Sequence, residues 1–123
     1  MIVKALVLTA VLLTAHAAKA ERSFVLITTN FCITVIDRTP EYELGCTNVT
    51  YIGVSRKTGK AIVLTGSTNF SMGKDGAPGH FRGYDFRSGL YLYTLNNEGG
   101  WVLDVMDRKG RTVVNERAIA QYD

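Results

Sequence analysis

No apolar run in this chain reaches the roughly 20 residues that a bilayer-spanning helix needs. No segment sustains the 3.6-residue periodicity of a long amphipathic helix either. Cysteine occurs only at positions 32 and 46, without the C-x-x-C spacing of a redox pair. Histidine occurs only at positions 16 and 80. No compact Cys, His and carboxylate arrangement has the spacing of a zinc site, and Asp75 lacks the regularly spaced oxygen ligands of an EF-hand. No metal and no cofactor is expected.

What is present begins with a leader. The opening MIVKALVLTAVLLTAHAAKA places Lys4 before an apolar run from Ala5 to Leu13, then small residues at Ala18 and Ala20. That is the order of a cleavable secretory signal peptide over residues 1–20. A cut after Ala17 is the nearby alternative. No cysteine follows either site, so a lipoprotein anchor has no attachment residue. The expected location is periplasmic or secreted, and the alanine-rich leader suggests a bacterial precursor. Asn48-Val49-Thr50 and Asn69-Phe70-Ser71 fit the glycosylation acceptor pattern, which in a bacterial precursor would commonly be inert.

Cleavage leaves residues 21–123 as one domain without an interdomain linker. Loss of Lys4 and Lys19 reduces fourteen basic residues to twelve against eleven acidic ones. A nearly neutral chain gives little long-range attraction for nucleic acid or anionic membrane. Neither is expected as a partner, and no stable membrane span is expected.

In an exporting compartment the two cysteines read as a disulfide. A hairpin centred on Thr39 places Ile36 opposite Tyr42, Thr34 opposite Leu44, and Cys32 opposite Cys46 on one face, within disulfide reach. Pro40 lies in its turn. Further hairpins are expected around Arg56–Lys60, around Arg87-Ser88-Gly89 and around Asp107–Gly110, because β-prone runs flank each polar bend. GSTNFSMGKDGAPGH, with four glycines and a proline, reads as a long loop in which Phe70 and Met72 cover a barrel end. The fold class is all-β: a small antiparallel meander, curved sheet or small β-barrel.

Catalytic strings fail on context. Ser71-Met72-Gly73-Lys74 matches S-x-x-K and Lys57-Thr58-Gly59 matches K-T-G, but in the wrong order and in a chain too small for a penicillin-binding fold. A Ser71, His80 and Asp85 set has no sequence-level geometry behind it. The chain is expected not to be an enzyme.

Aromatic residues carry the remaining signal. Tyr84 and Phe86 precede the third turn while Tyr91 and Tyr93 follow it at strand spacing, as core or as a recognition surface. SGLYLY, Ser88 to Tyr93, resembles the Ser-Gly-x-x-Tyr loop of bacterial inhibitors of c-type lysozymes, which are small exported β-barrels that insert a loop into the enzyme cleft. Ser88 and Gly89 match; Leu92 stands where that pattern has tyrosine. The resemblance carries Ser88 and Gly89; with the aromatic stripe Tyr91 and Tyr93 and the neighbouring Arg87, these form the expected binding set. The expectation is a small exported non-enzymatic binding protein whose partner is an exported protein such as a lysozyme-like hydrolase. A peptidoglycan or carbohydrate-binding module and an envelope structural subunit are the alternatives.

Overall fold

The computed structural model describes residues 21–39, 48–73, 75–76 and 78–121, so the leader expected over residues 1–20 lies outside the described residues. Eight strands follow in chain order: β1 (Arg22–Ile27), β2 (Phe31–Asp37), β3 (Val49–Ser55), β4 (Ala61–Met72), β5 (Pro78–Ser88), β6 (Tyr91–Asn97), β7 (Trp101–Met106) and β8 (Thr112–Gln121). Each pairs antiparallel with the next, and β1 pairs with β8, closing the sheet into a barrel. The all-β expectation thus takes its closed form, in which every strand has a hydrogen-bonded neighbour on each side. Among the described residues no helix is long and apolar enough to cross a membrane.

Strand alternation builds the core. Ile33 and Val35 of β2, Val49 and Tyr51 of β3, Tyr84 and Phe86 of β5, Leu95 of β6, and Leu103 and Val105 of β7 all turn inward and are buried. Each large apolar side chain removed from water contributes about 1.5–3 kcal/mol. The expected turns at Arg56–Lys60 and Asp107–Gly110 connect β3 to β4 and β7 to β8.

The disulfide expectation is overturned. Cys32 is a free thiol, and its cross-strand neighbours are Ile27 on β1 and Val54 on β3. The partner of β2 is β3, in a register that begins with Asp37 opposite Val49, rather than a strand formed by residues 42–46. Tyr42, Leu44 and Cys46 lie outside the described residues. The Thr39-centred hairpin satisfied local pairing alone, whereas Val49–Ser55 supplies a seven-residue partner whose Val49 and Tyr51 bury with Ile33 and Val35.

The expected long loop is also mostly strand. β4 and β5 remain paired out to Met72 and Pro78, which reduces the connection to residues 73–77. Two register shifts accommodate the irregular sequence, and the first leaves Arg82 unpaired between Gly83 and Phe81. Gly83, at φ 145, lies so close to β6 that a side chain would run into the Leu95 carbonyl. Here glycine serves close backbone approach at a bulge rather than a loop.

Among the described residues closure is the least extensive pairing, with Val25, Leu26 and Ile27 opposite Gln121, Ala120 and Ile119. Beyond Ile27 the chain turns: the Thr28 amide donates to the Phe31 carbonyl, and the Phe31 amide donates to Thr28 Oγ1, both at 2.9 Å. Where the backbone ladder stops, the Asn30 amide and Nδ2 donate to the two Glu116 carboxylate oxygens at 3.1 and 2.7 Å.

Candidate binding site

β5 and β6 end on the pair Ser88 and Tyr91, joined by the two-residue turn Gly89-Leu90. Gly89 has φ 47, the positive value that the first central residue of a twist-matched hairpin turn requires. The turn therefore falls one residue later than the expected Arg87-Ser88-Gly89.

Alternation then sorts the expected contact residues. Phe86 and Leu95 are buried inside the barrel, so Ser88, Tyr91 and Tyr93 share the inward register, while Arg87, paired with Leu92, lies on the outer face. The Tyr93 ring packs 5.5 Å from Tyr51, which packs 5.2 Å from Phe86. Burial raises the Tyr51 hydroxyl well above its ordinary value, with Tyr93 and Glu116 nearby adding to the effect. Burial raises Tyr93 too, with Tyr91 adding to it. Both are neutral hydrogen-bonding groups at physiological pH. Tyr91, 40 % exposed, forms the rim above them.

Below this rim is an apolar pocket of about 170 Å³, lined by Tyr91 and Tyr93 with Phe31, Leu103, Val105, Val113 and Val114. Sequence reasoning did not collect the last five. Val105 pairs with Val114 and Met106 with Thr112, which leaves Val113 as an unpaired bulge residue, 52 % exposed, in the pocket wall. Bulges re-aim side chains at barrel rims, and no local signal in TVVNE marks this one. Leu90, in the turn, is 53 % exposed.

Elsewhere on the barrel, Asp37 accepts from the Thr39 amide and from the Tyr84 hydroxyl, both at 2.9 Å, and is buried. The Tyr84 ring stacks parallel to Trp101 at 6.1 Å, and Phe24 lies 5.4 Å from the same indole. Burial raises the Tyr84 hydroxyl strongly, and its bond to Asp37 raises it further.

Two of the three residues considered as a catalytic set do meet. Ser71 Oγ lies 3.0 Å from His80 Nδ1 and accepts the His80 amide at the same distance. Asp85 is engaged elsewhere, by Asn69 and Thr94. The carboxylate facing His80 Nε2, at 3.8 Å, belongs to Glu98, which lies closer to Arg82, at 2.8 Å. The imidazole is 73 % exposed, so it stands in water without the desolvated setting that activates a nucleophile. Among the described residues no group of three or more His, Cys, Asp or Glu is placed to hold a metal ion.

The chain matches no protein-family model, no curated protein and no solved structure.

Proposed function

We propose that this chain is a small exported binding protein, not an enzyme, that recognises an exported protein through the barrel mouth formed by Ser88, Gly89, Tyr91 and Tyr93. The observation that carries the reading is the 170 Å³ apolar pocket under Tyr91. An apolar cavity of about 150 Å³ holds benzene, whereas pockets for whole small-molecule ligands run to about 300–1,000 Å³. The mouth therefore suits a single aromatic or branched side chain inserted from a partner, the usual form of an interface anchor. Val113, more than half exposed, supplies apolar rim beside it, Leu90 stands exposed in the adjoining turn, and the tyrosine hydroxyls add polar contacts that orient the insert.

A lysozyme-like cell-wall hydrolase is the partner class that the Ser-Gly-x-x-Tyr resemblance suggests. The departure at Leu92 has a structural counterpart: position 92 pairs with Arg87 on the outer face, and the tyrosines at 91 and 93 are the ones in the inward register. The flat outer stripe that a sugar platform requires is not formed by these two side chains.

The test is calorimetric titration of the purified chain with c-type lysozyme, together with a cell-wall lysis assay. Tyr91→Ala and Val113→Asp should each weaken binding by about tenfold or more while leaving the far-ultraviolet spectrum unchanged. The reading fails if the wild-type chain neither binds nor slows lysozyme and captures from envelope extract no protein that Tyr91→Ala releases.

A further inference from the structure

The barrel has a second and larger concavity, away from the Tyr91 pocket. It lies where β1 leaves β8, and its volume is about 490 Å³, within the range of small-molecule sites. Its origin is topological. β8 runs from Thr112 to Gln121, but β1 covers only Ile119 to Gln121 before turning away at Thr28, so the edge of β8 beyond Ile119 has no strand beside it.

The lining is chemically mixed in an informative way. Arg56 and Arg117 both reach it, with Thr29, and Ile27, Ile119 and Trp101 supply apolar wall. Arg56 is preorganised: its Nη1 donates to the Thr28 carbonyl at 2.8 Å and to the Thr29 carbonyl at 3.4 Å. The guanidinium is thus held in place by neutral acceptors. Among the described residues neither Arg56 nor Arg117 has an acidic partner within salt-bridge distance. Glu116, the nearest carboxylate in sequence to Arg117, is engaged by Asn30. Trp101 is equally fixed, stacked on Tyr84 and packed against Phe24.

Two uncompensated guanidinium groups beside a rigid indole and a threonine define a recognisable ligand chemistry. Guanidinium pairs favour carboxylate or phosphate, with geometry that permits two parallel hydrogen bonds. The indole and the two isoleucines suit the apolar face of a ring, and Thr29 suits a ring hydroxyl. We infer that this cleft is a binding site for an acidic sugar, a hydroxyl-bearing ring carrying one carboxylate or phosphate group. The acid lies between Arg56 and Arg117, and the ring lies along Trp101.

Trp101 is the only tryptophan in the chain, so its emission reports on the cleft directly. The purified chain is titrated with N-acetylmuramic acid, with N-acetylglucosamine 6-phosphate and with neutral N-acetylglucosamine. The expected result is a saturable emission change at millimolar or lower concentration for at least one acidic probe, weakened by salt. Preference between the two acids identifies carboxylate or phosphate as the group read. Arg117→Gln should weaken binding about tenfold, and Arg117→Lys should recover part of the loss. Tyr91→Ala, at the barrel mouth, should leave sugar binding unchanged, which separates this site from the proposed protein-binding function. The inference is overturned if neither acid gives a saturable change, if the neutral sugar binds as well as the acids, or if Arg117→Gln binds as tightly as the wild type.

Discussion

Glu116 and Asn30 are joined at both ends of the carboxylate, one oxygen taking the Asn30 amide and the other its side-chain Nδ2. A side chain here continues a seam that the backbone has abandoned. Among the described residues three backbone pairs join β1 and β8, and this contact adds to them where the ladder stops.

Replacing Glu116 by alanine should therefore destabilise the domain by about 1–2 kcal/mol, less than a fully buried charge-assisted pair because the site is partly solvated. Burial by itself raises the Glu116 carboxyl, but the bonds from the Asn30 side chain, Thr28 and the Asn30 amide, with the charge of Lys57, outweigh it and hold it below the usual value near 4.5. A depressed carboxyl stabilises the fold above its unfolded value, and that contribution is lost as pH falls through the folded value. Urea unfolding from pH 7 to pH 3 should show a constant gap between wild type and Glu116→Ala above about pH 5, narrowing below it. A gap that does not depend on pH would remove the carboxylate from the account.

Alkaline conditions act on the opposite group. The Tyr84 and Tyr51 hydroxyls are both raised from 10.0 in the fold, chiefly by burial. The unfolded chain thus releases these protons first, and stability falls as pH rises above about 10. Tyr51→Phe should flatten that decline. Tyr84→Phe should flatten it as well, but at neutral pH it costs about 1–3 kcal/mol, because Asp37 loses a buried donor. Thermal unfolding between pH 8 and pH 11 separates the two effects.

Two glycines with positive φ should respond differently to alanine. At Gly59, φ 74, the added methyl meets open space, so only the backbone conformation opposes it, at about 1 kcal/mol. At Gly83 the methyl runs into the β6 backbone as well, and a loss of about 3 kcal/mol or more is expected. Equal midpoints in denaturant for the two variants would show that β5 and β6 are farther apart than described.

The Cys32 thiol lies on the outer side of β2, half-buried. A maleimide should modify it in the folded protein without prior reduction, at a rate below that of a small free thiol. Intact mass after native labelling checks this, and modification that appears only after a reductant is added would contradict the free thiol.

The turns at Arg56–Lys60 and Asp107–Gly110 were legible because polar bends there separate runs of Val, Ile and Leu whose alternation survives into the barrel. The aromatic pair Tyr91 and Tyr93 was legible as a set, but not its direction, since Leu90 and Leu92 offer an equally apolar alternative face. Closure fixes the choice by burying Leu95 in the same register. The Cys32 pairing failed because the nearest compatible partner in sequence is not the partner in space: Val49–Ser55 competes from farther along the chain with a longer apolar match. Residues 66–72 and 78–80 were hidden as strand by Gly66 and Gly79, which serve close approach of β4 and β5. Val113 and Glu116 take their places through pairings of β8 that no local pattern announces, and Phe31 meets the pocket only across the closed barrel.

The order of the strands also has a consequence for how the domain is made. Every pairing except one joins neighbours in the chain, and the exception ties Val25 to Gln121. During synthesis β1 can pair with β2 at once, yet its other edge has no partner until β8 has emerged. Local hairpins form early at small entropic cost, while the closing contact spans nearly the whole domain and comes last. Until then the nascent meander exposes the free edges of β1 and its newest strand, the condition in which strands pair with other chains. The final ten-residue strand thus acts as the switch from an adhesive open sheet to a self-contained ring.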